Sequence, residues 1–154
     1  MTQERISVVT GGGSGIGRAA SRRLARAGDL VVVADLNEAS GLRVVDAIRA
    51  DGGRAEFRRV DVAEQASIDA LAADVESAIG PVEVLVTSAG ILQNATDIAS
   101  FDLAEHDRVW AINYRGVYLS CRAFAPRMAK RRRGSIVNIS STSAVDPMPL
   151  IAYG

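Results

Sequence analysis

The sequence has little cysteine and histidine, no excess charge of either sign and no long apolar run. A single cysteine, Cys121, cannot close an internal disulfide. The one histidine, His106, has no partner at metal-ligand spacing, so neither a metal site nor a Cys-His nucleophile is expected. Eighteen basic side chains against eighteen acidic ones leave zero net charge. Nothing therefore pulls the molecule toward nucleic acid or an anionic membrane. The opening stretch MTQERISVV has neither the charged region nor the cleavage site of a secretory signal, and a reducing cytoplasm is expected. Solenoid repeats and low-complexity linkers are also missing.

What is present is a globular balance, 48% apolar and 23% charged residues. A chain of 154 residues suits one core, and residues 1–154 are expected to form one domain. The run Lys130-Arg131-Arg132-Arg133 closes a predicted helix, where cations complement the negative end of the helix dipole. That reading is preferred to phosphate binding.

Short β-branched runs, Ile6-Thr10, Leu30-Asp35, Ala55-Val60, Val84-Thr87 and Ser135-Ser140, alternate with stretches of helical period. Their centres are mostly apolar, as in strands covered on both faces. Ile68, Leu71, Ala72, Val75 and Ile79 mark one buried helical stripe ending at Gly80-Pro81, with Asp61-Val62-Ala63-Glu64 placed to cap its start. Leu42, Val45 and Ile48 mark another before Gly52-Gly53, and Val109, Ile112 and Leu119 fall in a long helix running to about Arg132. This alternation implies an α/β fold, a doubly wound parallel sheet (Rossmann fold) with strand order 3-2-1-4-5 and right-handed crossovers. Such sheets bind ligands beyond the C-terminal ends of their strands, where the order reverses.

The first predicted strand runs directly into Thr10-Gly11-Gly12-Gly13-Ser14-Gly15-Ile16-Gly17 and then a helix. Glycines in that context tighten the turn, let backbone approach a pyrophosphate and let the helix lie close to the sheet. The spacing is TGxxxGxG and not GxGxxG, whose third glycine would fall on Ile16. A nucleoside-triphosphate loop is excluded, because Arg18-Ala19 stand where Lys and Ser or Thr are required. Gly11, Ser14, Gly15, Ile16 and Gly17 are the candidate pyrophosphate-binding residues. Asp35 ends the second strand eighteen residues after Gly17, where its carboxylate can accept from the adenine ribose hydroxyls and repel a 2′-phosphate. It could instead cap the next helix, with Glu38 three residues on, although Asn37 could cap equally well.

TGGGSGIG in this position resembles the short-chain dehydrogenase/reductase family. Asp35, Asp61-Val62, Thr87-Ser88-Ala89-Gly90, Asn113, Ser140-Ser141 and Tyr153 follow in the order of that family's motifs, so the resemblance extends along the whole chain. It implies an oxidoreductase moving a hydride between a nicotinamide and a secondary alcohol or ketone. Asp61 and Val62 would contact the adenine, and Ser88, Ala89 and Gly90 would pass beside the cofactor. The family's common turn is Asn-Asn-Ala-Gly, so Thr87 and Ser88 are departures with shorter reach. Leu36 and Ser14 are neutral where NADP-using members often carry basic residues, and Arg18 is the dissenting charge. NAD is expected in preference to NADP.

The resemblance assigns the acid/base to Tyr153, while Tyr114 and Tyr118, within a predicted helix, are expected to be packing residues. A free phenol has a pKa of about 10, and lowering it to 7 takes roughly 4 kcal/mol of preferential stabilisation of the phenolate. In the family that comes from the oxidised nicotinamide and a lysine four residues beyond the tyrosine, a position past Gly154. Ser140 and Ser141 compete for the substrate oxygen. Strand register favours Ser141, whereas the usual interval to the tyrosine favours Ser140, and Ser141 is preferred. Asn113 matches the asparagine that holds a relay water, and Tyr153 would also touch the cofactor. Ile91-Leu92 and Met148-Pro149-Leu150 could line a substrate mouth or simply pack. The family's later strands, its substrate-selecting segment and the lysine are expected to be missing from these residues. An NAD-binding module without catalysis is therefore the competing expectation. The parent protein is expected to be a homo-oligomer, a dimer or tetramer, built partly through the long helix beginning near His106.

Overall fold

In the computed structural model the described residues are 4–146, and these build a five-stranded parallel sheet of order β3-β2-β1-β4-β5. The strands are β1 (Ile6–Thr10), β2 (Leu30–Asp35), β3 (Arg54–Arg59), β4 (Val82–Thr87) and β5 (Ser135–Asn138). The helices are α1 (Gly15–Arg26), α2 (Glu38–Ala50), α3 (Gln65–Ala78), α4 (Leu103–Trp110) and α5 (Gly116–Arg131). Fold class and strand order are those anticipated from the β-α alternation. β3 is displaced by one residue, β4 begins two residues earlier and β5 stops two residues sooner than the apolar runs suggest. The last rung past β5 is the hydrogen bond from Ile139 N–H to the Thr87 carbonyl.

Neighbouring strand residues point to opposite faces, and the core divides accordingly. Val8, Val32 and Leu85 pack with Leu71 and Val75 of α3 and Phe124 of α5. Val9, Val31, Val33 and Val86 pack with Ala25 of α1 and Val45 and Ile48 of α2. Every residue of β1 is buried because helices cover both faces of the sheet's centre.

The α3 stripe is as expected, with Ile68, Leu71, Ala72 and Val75 buried. Its cap is not: Glu64 occupies the N-cap without a side-chain bond, and Asp61 Oδ1 instead accepts from Ala63 N–H upstream. Of the α2 stripe, Val45 and Ile48 are buried as expected and Leu42 is not. Gly41 and Val44 are buried as well. Phe57 of β3 packs against Gly41, where a Cβ would lie 2.3 Å from its ring, so this side of α2 faces the sheet.

The long helix near His106 contains a break that periodicity does not reveal. Asp102 caps α4, α4 passes at Ala111–Arg115 into a π-helical turn, and α5 continues to Arg131. Arg132, at φ 52°, ends it in the left-handed region. The basic run does close the helix, and it is also clasped. Arg131 donates to both oxygens of Glu76 at 2.7 and 2.9 Å and to the Val82 carbonyl, and Arg133 donates to Glu83 at 2.7 Å. Tyr114 and Tyr118 are exposed, contrary to the packing role expected of them, because their side of the helix faces away from the sheet. Tyr114 stacks on Trp110 with ring centroids 4.5 Å apart. No helix among the described residues is long and apolar enough to cross a membrane.

Candidate functional site

The strand order reverses between β1 and β4, and the two turns leaving these strands meet there. A cleft of about 550 Å3 opens at this point, lined by Gly11, Ser14, Gly15 and Ile16 from the first turn. Asp35 and Leu36 lie at the end of β2, Val60, Asp61 and Val62 after β3, and Ser88 through Leu92 after β4. Ile112 and Ile139 complete the wall. Residues far apart in sequence converge because every parallel strand ends at the same edge of the sheet.

The glycine-rich turn divides its labour. A Cβ on Gly17 would lie 2.1 Å from the Gly11 carbonyl oxygen, so Gly17 is needed for the close approach of helix and turn and does not itself line the cleft. Gly15 has φ +48° and open space where a side chain would be, which leaves room for a ligand against the backbone. Ser14 occupies the N-cap of α1 without a side-chain cap bond, and the first turn of α1 holds no acidic residue. The start of α1 thus presents amides, a dipole and a hydroxyl toward an anion.

Asn37 caps α2, accepting from Ser40 N–H at 3.0 Å, so Asp35 is not the cap. The Asp35 carboxylate accepts from Gly13 N–H and Asn37 N–H, each at 2.9 Å. This braces the glycine-rich turn against the end of β2 and holds a carboxylate at the cleft. Thr87 turns away from the cleft; it is buried and donates to Asn138 Oδ1 at 2.8 Å, joining β4 to β5. Of the two hydroxyl residues that replace asparagines, Ser88 is the one that faces the opening.

A second recess of about 550 Å3 shares the Ser88–Leu92 wall, Ile16 and Ile139 with the first, and it brings in Asn113, Ser140, Ser141 and Ser143. Both serines proposed for catalysis face it. Ser141 Oγ accepts from Ser143 N–H at 3.1 Å, which leaves the hydroxyl proton free to be donated. Asn113 sits in the π-helical turn, and its side chain grips one peptide group pair: Oδ1 accepts from Ile91 N–H at 2.9 Å and Nδ2 donates to the Ile91 carbonyl at 2.8 Å. Glu105 of α4 holds the Asn94 amide at 2.7 Å in the same loop. Tyr153 and Met148-Pro149-Leu150 lie outside the described residues. No group of three His, Cys, Asp or Glu side chains converges among those described.

Ile112, Ile139 and Val60 were not among the candidate site residues; in the sequence they read as ordinary helix and strand positions. Only the meeting of strand ends shows that they line the opening. The Asn113–Ile91 pairing had a faint signal, an asparagine within a helical stretch where that residue is mildly unfavourable.

A doubly wound sheet with a glycine-rich first turn, an acidic end to its second strand and a ligand-sized cleft at the reversal defines a dinucleotide-binding protein. The chain belongs to the short chain dehydrogenases: that family's profile matches residues 5–154. Among curated relatives, 2,3-dihydro-2,3-dihydroxybenzoate dehydrogenase of Bacillus subtilis (strain 168) is 34% identical over 96% of this chain and 56% of its own length. A metagenomic short-chain oxidoreductase solved in complex with NADP superposes with a TM-score of 0.92 at 36% identity, covering 96% of this chain and 67% of that one. A Brucella melitensis 16M structure named as a ribose-5-phosphate isomerase superposes at 0.86 with 44% identity, over 97% of this chain and 56% of that one. The chain spans about half the length of the curated relatives it matches.

Proposed function

We propose that residues 1–154 are the dinucleotide-binding domain of an NAD-preferring oxidoreductase that acts on a secondary alcohol or its ketone. The observation that carries this reading is the continuity of the two recesses along the Ser88–Leu92 wall. One recess has the features of an adenosine and pyrophosphate site, and the other holds the hydroxyl and amide groups that a carbonyl substrate needs.

The residues present fit a nicotinamide dinucleotide. Open space at Gly15, the uncapped Ser14 hydroxyl and the start of α1 suit a pyrophosphate. Among the described residues the Asp35 carboxylate accepts from two backbone amides, and its remaining lone pairs can accept ribose hydroxyls. Its negative charge opposes a 2′-phosphate, which supports NAD. Asp61 and Val62 would flank the adenine. When bound, the nicotinamide supplies the acceptor or donor of a hydride.

The chain's own part is to bind, orient and move a proton. Ser141 would donate to the substrate oxygen, with the Ser143 amide holding its hydroxyl in that direction. Tyr153 would exchange the proton with that oxygen as acid or base. Asn113 would hold the wall between the two recesses through Ile91, and each of its amide atoms keeps one further bonding position toward a relay water. The exposed Leu103, Trp110, Tyr114 and Tyr118 support assembly of the whole protein as a homo-oligomer through α4 and α5. One cysteine in the sequence supports a cytoplasmic setting.

Calorimetric titration of the chain with NAD and NADP tests the reading, and NAD is expected to bind more tightly. Tighter NADP binding would overturn the preference, and no binding of either would overturn the proposal. Binding by the whole protein without alcohol-dependent reduction would restrict it to a binding module.

A further inference from the structure

On the other side of the Gly13-Ser14 turn from the cleft, α1 and α2 enclose a separate recess of about 440 Å3. Three arginines line it: Arg18 and Arg22 from successive turns of α1, and Arg43 from α2. Ser14 and Ser40 lie at its inner end, and no acidic residue is among its lining. We infer that this recess is a site for a phosphate dianion, held by Arg18, Arg22 and Arg43.

Like charges four residues apart on a helix repel, and Arg43 adds a third from across the groove. Structural arginine clusters usually have carboxylate partners, but neither Arg18 nor Arg43 has one among the described residues. Arg22 is partly occupied. Its outer nitrogen donates to Asp51 at 2.8 Å, a bond that holds the Asp51 carboxyl below its ordinary range. Among the described residues its Nε has no acceptor but is shut off from solvent, so the guanidinium meets the recess through its outer nitrogens. Two arginines without carboxylate partners and a third shared with Asp51, around a recess with no acidic lining, match a doubly charged oxyanion. With Arg22 paired to Asp51, a singly charged carboxylate would leave one of the two remaining arginines uncompensated, whereas a dianion matches both.

Two sources could supply that group, free inorganic phosphate or a phosphate carried on the adenosine ribose of a dinucleotide. Asp35 stands between cleft and recess: a Cβ on Gly13 would lie 2.9 Å from its Oδ2 and 2.8 Å from Ser40 Oγ. A ribose-borne phosphate would have to pass that carboxylate, so free phosphate is the expected occupant. Only the dinucleotide arm rests on the reading of the cleft.

The test uses the 154-residue chain and its Arg18→Gln/Arg43→Gln double variant. Melting temperature and binding isotherms are measured with inorganic phosphate, NAD and NADP, against chloride at matched ionic strength. Phosphate is expected to stabilise the parent chain, and the double variant to bind it at least about tenfold more weakly, as for loss of one or two charge-assisted contacts. NAD affinity should be unchanged. Loss of NADP affinity alone in the variant would support the site with the ribose as its source. A variant that binds both phosphate and NADP as the parent does would overturn the inference, and so would a parent stabilised no more by phosphate than by chloride when the variant's NADP affinity is unchanged. Arg43→Lys guards against misfolding: it keeps charge but not the planar fork, and should recover part of the phosphate affinity. Absent NAD binding alongside intact phosphate binding would count against the proposed function and leave the recess standing.

Discussion

Replacing Asn113 by aspartate should do more harm than replacing it by alanine, because the site needs a donor and an acceptor side by side. Asn113 accepts from the Ile91 amide and donates to the Ile91 carbonyl at 2.9 and 2.8 Å. Alanine removes both bonds. Each is worth about 1 kcal/mol net, and water can replace part of them at an exposed side chain, so the loss is about 1 to 2 kcal/mol. Local opening of the Ser88–Leu92 wall should then become roughly tenfold more frequent. Aspartate keeps the bond from the amide but sets a carboxylate oxygen against the Ile91 carbonyl, adding repulsion to the lost bond. The sign with pH follows: protonation restores the missing donor, so the Asn113→Asp defect should shrink below about pH 4 while the Asn113→Ala defect stays constant. Hydrogen exchange of the 88–93 segment, with rates corrected for intrinsic pH dependence, reads this directly. Equal protection in Asn113→Asp and the parent at pH 7 would refute the reasoning.

Gly17→Ala drives a methyl group to 2.1 Å from the Gly11 carbonyl, and since both partners are backbone it should cost more than about 3 kcal/mol in a urea titration or prevent folding. Asp35→Asn keeps an acceptor for the Gly13 amide but removes the charge, and should shift the NAD-to-NADP affinity ratio toward NADP by about tenfold or more, measured by calorimetry. Phe124→Ala empties a fully buried position beneath α5 and should cost about 3 to 5 kcal/mol in denaturant unfolding without changing the NAD affinity of the molecules that remain folded.

The elements that chain order and local chemistry dictate were legible without coordinates. β1 and β2 coincide with the runs Ile6-Thr10 and Leu30-Asp35 because both faces of those strands are buried, so most of their residues must be apolar. Edge strands were harder. β5, with sequence Ser135-Ile136-Val137-Asn138, is largely exposed, and its apolar run overstates how far the ladder continues. In α2, Val45 and Ile48 were legible as buried, but periodicity alone cannot decide between Leu42 and Val44. The Phe57 ring, brought there by β3, decides it.

At the glycine-rich turn the sequence by itself determined a great deal: Gly11, Gly15, Gly17 and Asp35 are local requirements of a strand, a tight turn and a helix, and such needs are written at fixed spacing. The tertiary structure decided what those residues face. Packing assigns Gly17 to the Gly11 carbonyl and not to the cleft, gives the α2 cap to Asn37 so that Asp35 can brace Gly13, and turns Thr87 toward Asn138. It also places Arg18 and Arg43 across one recess although twenty-five positions separate them, as the difference of their numbers shows. Spacing along a chain encodes contacts within a turn or a helix. Contacts between elements depend on which strand lies beside which, and that order arises only when the hydrophobic faces of the whole sheet are buried together.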